Sequence, residues 1–409
     1  MDKRILDLEA KGCFDFFWNE ANTDKNSSGY GLIRDNTAET NKDMASIASV
    51  GFGLSAIIIG IEKKWITYEE GYERTLGTLN TFLKNVEESE GFFFHFLHME
   101  TAKKFEAFYD CASIIDTSLF LNGAVTSAEY FGGEIKEVFE KIFNRVNWEK
   151  YYDEKNNMYF MGYNPETGGF GQWDMYAEQL MQYIFGVASP THPVPKKIYK
   201  GFRRDLVKYG EYEFYHSPGG ALFTHQFSHA WFNFQNIVDE DGINWHENSV
   251  KATLAAKKYC NDNAQGFKTF AESEHAWGLT ACDGPHGYKA YGAGPFHPNC
   301  DQYINDGTIA PAAAAGSIVF TPKESIDALN YFYQNVPELW SKYGFLDSYN
   351  RDVSSNWVSD RVIGIDKGAT LLMIENYETG LIWDLYMKND YVKKGAKILG
   401  WKRKNLITS

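Results

Sequence analysis

One pattern recurs along this 409-residue chain: an apolar run rich in small residues, then an amphipathic charged run, then a turn of Gly and aromatic residues. The first instance is MASIASVGFGLSAIIIGIEKKW, then TYEEGYERTLGTLNTFLKNV, closing at EGFFFHF. A second opens at Asp116, continues through EIKEVFEKIFNRVNW and closes at NNMYFMGYNPETGGF. The third begins near Asp174 and, after the break SPTHP, has PVPKKIYKGFRRDLVKYG as its expected partner helix. LFTHQFSHAWFNFQN with NSVKATLAAKKYCND makes the fourth, and DGTIAPAAAAGSIVF with PKESIDALNYFYQNVPELW the fifth. The sixth starts at Asp366 and ends with YVKKGAKIL. Helices apolar all round belong inside, and helices with one charged stripe belong outside. Small residues let the inner six crowd together, so the pattern predicts an all-α chain, an (α/α)6 toroid of six inner and six outer helices. Unequal repeat lengths fit a closed ring better than an open solenoid.

No Pro/Ser linker, low-complexity stretch or charge block divides the chain, which predicts a single domain over 1–409. The formal net charge of -14 argues against nucleic acid, whose phosphates need clustered Lys and Arg. A neutral partner fits better, and 26 Tyr, 11 Trp and 30 Phe offer flat faces suited to sugar rings as well as to cores. MDKRILDLEAKGCFDFFWNEA lacks an apolar signal-like stretch, and no run reaches membrane-spanning length. Cys13, Cys111, Cys260, Cys282 and Cys300 are scattered and odd in number, without zinc-finger spacing. Reduced thiols in a cytoplasmic protein, with no membrane partner, are the expectation.

Three acidic residues stand at or near the start of apolar helical runs: Asp116 in IIDTSLFLNGAVTSAEYF, Glu178 in WDMYAEQLMQYIFGVASP and Asp366 in IGIDKGATLLMIENYETGLIW. A carboxylate there is costly unless hydrogen-bonded or used, and a toroid would gather all three at one rim. The plain alternative is that Asp116 and Asp366 merely cap helices. Paired carboxylates in an aromatic cleft suit glycoside hydrolysis, in which one acid protonates the leaving oxygen and another activates water or attacks the sugar. Glu178, between Trp173, Met175, Tyr176, Leu180 and Met181, has the apolar surroundings of a proton donor. Asp366, beside Arg361 and Lys367, is expected to stay ionised as the base.

Other chemistries find little support. HExxH, GxSxG and a Walker loop are missing from the sequence, and no GxGxxG opens a helix after a strand. GAGP at Gly292 to Pro295 and PGGA at Pro218 to Ala221 are expected to be turns. His225 and His229, four apart, are expected to be core or sugar-contacting rather than metal ligands, so neither metal nor cofactor is expected. The long segment AESEHAWGLTACDGPHGYKAYGAGP, followed by NDGTIAP, offers Glu274, Trp277, Asp283, Tyr288 and Asp306 to bond hydroxyls or stack a ring. His229, Trp231, Glu375 and Trp383 complete the substrate-binding candidates, with Trp231, Trp277, Tyr288 and Trp383 as ring platforms.

FSHAWFNF, WHENSVKATLAAKKYC, WGLTACDGPHGYKAYG, DGTIAPAAAAGS and IGIDKGATLLMIENYETGLIW together resemble the glycoamylase-like (glucoamylase) family, which includes β-1,2-glucanases of glycoside hydrolase family 144 and domains of cyclic β-1,2-glucan synthases. The resemblance covers nearly the whole chain and is strongest from about His225 to Trp383. It implies an (α/α)6 toroid and an inverting, metal-free glycoside hydrolase acting on a gluco-oligosaccharide or glucan, most of all a β-1,2-linked one. By position it matches Glu178 and Asp366 to the family's acidic residues, and Asp116 to the opening of the IDTSLFLNGA segment. Some β-1,2-glucanases have Glu at that opening and a further Asp where this chain has Ser113. That departure leaves open another linkage, exo action or transfer to sugar. A transglycosylase and a non-catalytic carbohydrate-binding protein are the competing readings.

Overall fold

The computed structural model describes residues 3–106, 111–295, 304–353 and 356–404; Cys300 lies outside the described residues. The chain is mainly helical. In order come α1 (Arg4–Asn19), α2 (Ile47–Glu62), α3 (Tyr68–Lys84), α4 (Ile114–Phe131), α5 (Gly133–Arg145), α6 (Leu180–Ala188), α7 (Phe223–Trp231) and α8 (Trp245–Asp262). Then follow α9 (Lys268–Ala271), α10 (Pro311–Ala315), α11 (Pro322–Asn335), α12 (Gly364–Glu378), α13 (Leu381–Lys388) and α14 (Asp390–Ile398).

The six small-residue runs are α2, α4, α6, α7, α10 and α12. They are buried as their composition requires: 14 of the 16 residues of α2 are buried, against 6 of the 17 in α3. Glycine sets the closest approach. A Cβ on Gly123 of α4 would stand 2.0 Å from the Gly51 carbonyl oxygen of α2, so only hydrogen side chains let these two backbones touch. α2 packs on α4 and α12, α4 on α6, and α12 on α7 and α10. Gln226 Nε2 ties α7 to α10 by donating to the Ala313 carbonyl (2.9 Å) and Ser317 Oγ (3.0 Å).

One expected helix is missing. The third charged run folds instead as a single turn at Lys196–Lys200 and a hairpin pairing Leu206–Tyr209 with Tyr212–Tyr215. Pro193 and Pro195 remove backbone donors at its start, and Gly210 takes the positive φ of the hairpin turn. The C-terminal α14 packs on α6 in its place, and α1, which the repeat did not include, packs on α2 and α12.

The all-α expectation needs a second correction: short antiparallel ribbons connect the helices. They have a positional role. Met44–Ser46 pairs with Phe96–His98, Phe94 bridges Ala112, Arg34 bridges Ala45 and Asn36 bridges Ile363. The starts of α2, α4 and α12 are thereby tied together at one end. One continuous apolar core runs from Ile5 to Trp401, with a small satellite at Phe214, Ala252 and Ala255. Among the described residues no helix is long and apolar enough to cross a membrane, and Cys13, Cys111, Cys260 and Cys282 are buried free thiols.

Candidate active site

Asp116 occupies the first turn of α4, but it is not the cap. Ser113 is, its Oγ accepting the Asp116 N–H (3.2 Å) and donating in turn to Asp116 Oδ2. Asp366 likewise lies inside the first turn of α12, after Ile363, which makes no side-chain cap. Neither carboxylate is therefore explained by capping. Ribbon pairing brings His95 to α4, with its Nε2 3.5 Å from Asp116 Oδ1.

Glu178 precedes α6 by two residues rather than lying within its first turn, so neighbouring helices must hold it. Ser228 of α7 does so twice, donating its hydroxyl to the Glu178 carbonyl and accepting the Leu180 N–H (3.1 Å). Tyr176 stacks on Trp245 of α8 at 4.4 Å and 5°. The Glu178 side chain is 9% exposed, and burial pushes its pKa up to about 7, reinforced by the Asp116 carboxylate. A carboxylic acid that keeps its proton near neutrality is what the sequence led us to expect there.

Around Asp366 the expectation fails. Lys367 turns away and pairs with Glu9 of α1 (2.8 Å), while Arg361 pairs with Asp283 (3.3 Å). The carboxyl that acts most strongly on Asp366 is that of Asp347, which is not among the residues expected from the sequence. Burial and this second carboxyl raise the Asp366 pKa well above the usual carboxylate range. Asp347 rises to about 7, mainly through burial, although the Asp283 N–H donates to its Oδ2 at 2.6 Å. A like charge disfavours ionisation more than a lysine pointing elsewhere can favour it.

Asp35 joins the two halves. Its backbone oxygen accepts the Gly364 N–H at the start of α12 (2.7 Å). Its carboxyl lies within electrostatic reach of Asp116, His95 and Arg361, and of Asp366. Burial raises its pKa, while Asn36 Nδ2, donating at 2.8 Å, pulls it down. Glu178, Asp116, Asp35, Asp366, Asp347 and Asp283 thus form one arc, drawn from six remote segments. Tyr288 stands over it: its ring is 54% exposed, yet its hydroxyl is surrounded by protein and lies near Asp366, Asp347, Cys282 and Asp35.

Several expected substrate contacts are elsewhere. Trp231 is fully buried, donating to Ser55 Oγ (2.9 Å) and packing on Phe52, and Trp277 is fully buried too. Trp383 donates its indole N–H to the His229 carbonyl (2.6 Å). His229 contacts Ser249 Oγ through Nε2 (3.3 Å), and burial holds its pKa well below the usual imidazole value. His225 meets the same Ser249 hydroxyl at 3.3 Å and is lowered to about 3 by burial and His216. These are neutral core histidines, and among the described residues no group of side chains could hold a metal ion. Glu375 sits nine residues beyond Asp366 on α12, about 13 Å along the helix, bonded to Thr379 (2.6 Å) and paired with Lys63 (3.3 Å). Glu274 is exposed within electrostatic reach of Lys323. Asp306 spends its oxygens bracing Tyr291, Thr308 and Asn350. Of the substrate-binding candidates, Asp283 and Tyr288 reach the carboxylate arc.

The missed residues each carry a local signal. His95 in GFFFHF is a lone polar residue inside an aromatic stretch, while Asp35 in LIRDNT and Asp347 in YGFLDSYN each follow closely on a pair of apolar residues between helices.

Comparison with known proteins adds to this geometry. The Glycoamylase family model, described as "Putative glucoamylase", matches residues 171–390. A curated relative, the exo β-1,2-glucooligosaccharide sophorohydrolase (non-reducing end) of Parabacteroides distasonis, is 29% identical over 97% of this chain. The chain spans 58% of that relative's length. A crystal structure described as a "putative glucoamylase" of Bacteroides uniformis is 29% identical and superposes with a TM-score of 0.88, covering 98% of each chain. An endo-β-1,2-glucanase from Chitinophaga pinensis, in complex with sophorotriose and glucose, is 26% identical with a TM-score of 0.86, again over 98% of each chain.

Proposed function

The chain belongs to the Glycoamylase family, and from that premise we propose that it is a glycoside hydrolase cleaving β-1,2-linked gluco-oligosaccharides or glucan by inversion. The observation that carries this reading is the arc itself: a carboxylic acid poised near neutrality at one end and a buried carboxyl pair at the other, beneath an exposed tyrosine. In this reading Glu178 gives its proton to the glycosidic oxygen, and Asp366 receives the proton of the attacking water. Asp116 and Asp35 link the two electrostatically. Asp116, held by Ser113 and His95, bonds a substrate hydroxyl or relays a proton, and Tyr288 supplies the ring face for a glucosyl unit. The linkage is supported by the relatives, named for β-1,2-glucooligosaccharides and β-1,2-glucan.

The framework in this reading is a single-domain (α/α)6 toroid. Six buried helices and the flanking α1, α3, α5, α8, α11 and α14 support it. The buried free thiols support a reducing compartment such as the cytoplasm. The substrate is a neutral sugar, with neither nucleic acid nor membrane as partner.

The test is a panel of linear β-1,2, β-1,3, α-1,4 and α-1,6 glucans with products separated by chromatography and the first-formed anomer read by NMR. We expect sophoro-oligosaccharides to be cut with inversion. Longer or cyclic products at high substrate concentration would identify a transglycosylase instead, a reading that Ser113 keeps alive. Binding measured by calorimetry without release of reducing sugar would mark a carbohydrate-binding protein.

Activity should also fall as pH rises. Glu178 must be protonated to act, and its pKa is about 7, so kcat should decline above that value as the proton is lost. Rates measured from pH 5 to 9 check this, and a rate still rising at pH 9 would contradict the assignment.

A further inference from the structure

Asp347 comes from the segment between α11 and α12, where the ribbon pairing Tyr349–Asn350 with Trp357–Val358 fixes it beside the start of α12. Its own N–H donates to the Arg361 carbonyl (3.0 Å). Its side chain and that of Asp366 are 4% and 6% exposed and lie within hydrogen-bonding reach of each other. Each leaves one oxygen without a partner: Oδ1 of Asp347 and Oδ2 of Asp366 are buried and unbonded. Asp347 Oδ2 is already engaged by the Asp283 N–H at 2.6 Å, so the free end of Asp347 is its other oxygen.

Two ionised carboxylates facing each other out of water repel strongly, and two unpaired buried oxygens are costly in themselves. A single proton between them removes both penalties. The backbone bond from Asp283 favours negative charge on Asp347, which places that proton on Asp366, donating to Asp347. The cations around the pair offset its repulsion only in part: Lys367 lowers the pKa of both carboxyls, and burial outweighs it. Lys367 is committed to Glu9, and Arg361 to Asp283. Asp35 adds a third carboxyl near Asp366, and Cys282 and Tyr288 are held protonated by burial and by these same carboxyls.

We propose that Asp347 and Asp366 act as one carboxyl pair holding a single proton, and that this pair, not Asp366 alone, is the base of the reaction. The proposal rests on the hydrolase reading above. As water attacks the anomeric carbon, the carbon–oxygen bond to the departing sugar breaks and its oxygen takes the Glu178 proton. The proton lost by water passes to Asp366 as the shared proton shifts onto Asp347. The pair goes from one negative charge to none, Glu178 from none to one, and solvent resets both by moving one proton. Asp347 in this scheme is a positioning residue: it acts through Asp366 by setting how many protons Asp366 shares.

The experiment compares wild type, Asp347→Asn and Asp366→Asn by infrared spectroscopy at pH 8, with circular dichroism to verify folding, and by kcat/KM against pH on a sophoro-oligosaccharide. In the wild type we expect a protonated carboxyl band that disappears in both variants, because the remaining carboxyl then faces a neutral amide and ionises. In Asp347→Asn the acidic limb of kcat/KM should move up by about one pH unit or more, since the Asp366 anion formed there loses the shared proton that stabilises the negative charge of the pair. A merely structural Asp347 would lower the rate at every pH and leave the limbs in place, and that result overturns the proposal. So does a wild-type spectrum without the band. The spectrum requires no substrate, so a wild type that shows the band yet hydrolyses nothing would sink the hydrolase reading while leaving the proton pair standing. Should Asp347→Asn not fold, the Asp366→Asn spectrum still decides whether the proton is shared.

Discussion

Glu178→Gln is expected to lower turnover of β-1,2-linked gluco-oligosaccharides by about 10³-fold, the usual worth of a positioned general acid. The substitution removes the transferable proton while keeping size, and Glu178 is anchored through its backbone by Ser228, so the local fold should survive. Circular dichroism and calorimetric sugar binding should therefore be little changed. The loss should depend on the leaving group. An aryl β-sophoroside departs as a stabilised phenolate and needs no proton, so its cleavage should fall far less than that of sophorotriose. Equal losses on both substrates would mean that Glu178 shapes the site rather than protonating the departing oxygen, and unchanged activity would remove it from the chemistry altogether.

Lys367→Met should destabilise the protein by about 3–5 kcal/mol, the cost of stranding one partner of a buried ion pair. Lys367 and Glu9 are 5% and 2% exposed. Burial works against the charge on Lys367, but Glu9, with help from Cys13 and Asp347, outweighs it and raises the lysine pKa. Glu9 also accepts the Phe345 N–H (2.8 Å), so the pair clamps α1 to α12 and to the segment that carries Asp347. The double variant Glu9→Gln, Lys367→Met keeps an acceptor for Phe345 without a buried charge, and it should recover at least half of the loss. Urea unfolding of the three variants measures this. A Lys367→Met protein as stable as wild type would show that the pair contributes nothing net.

Much of the architecture was legible because burial dictates composition. The six runs poor in charge became the buried helices, and MASIASVGFGL needed its glycines because Gly51 and Gly123 place two backbones in contact. The hairpin at 206–215 was not foreseen because PVPKKIYKGFRRDLVKYG carries the charge density of an outer helix, while Pro193, Pro195, Gly201 and Gly210 work against a continuous one. The tryptophans misled for a related reason. An indole buried with its N–H satisfied by Ser55 or the His229 carbonyl looks, in sequence, just like one waiting for a sugar.

The sequence by itself determined most of the helical framework and the placing of Asp116 and Asp366 in first helical turns, with Glu178 just before one, because hydrophobic periodicity and the cost of an acid among apolar residues are local properties of the chain. The tertiary structure alone decided their charges. Which neighbour faces a carboxyl depends on residues hundreds of positions apart: Lys367 turned to Glu9, and Asp347 came to Asp366 in its place. The electrostatic field at an oxygen is set by distance through space, and adjacency along the chain does not fix that distance.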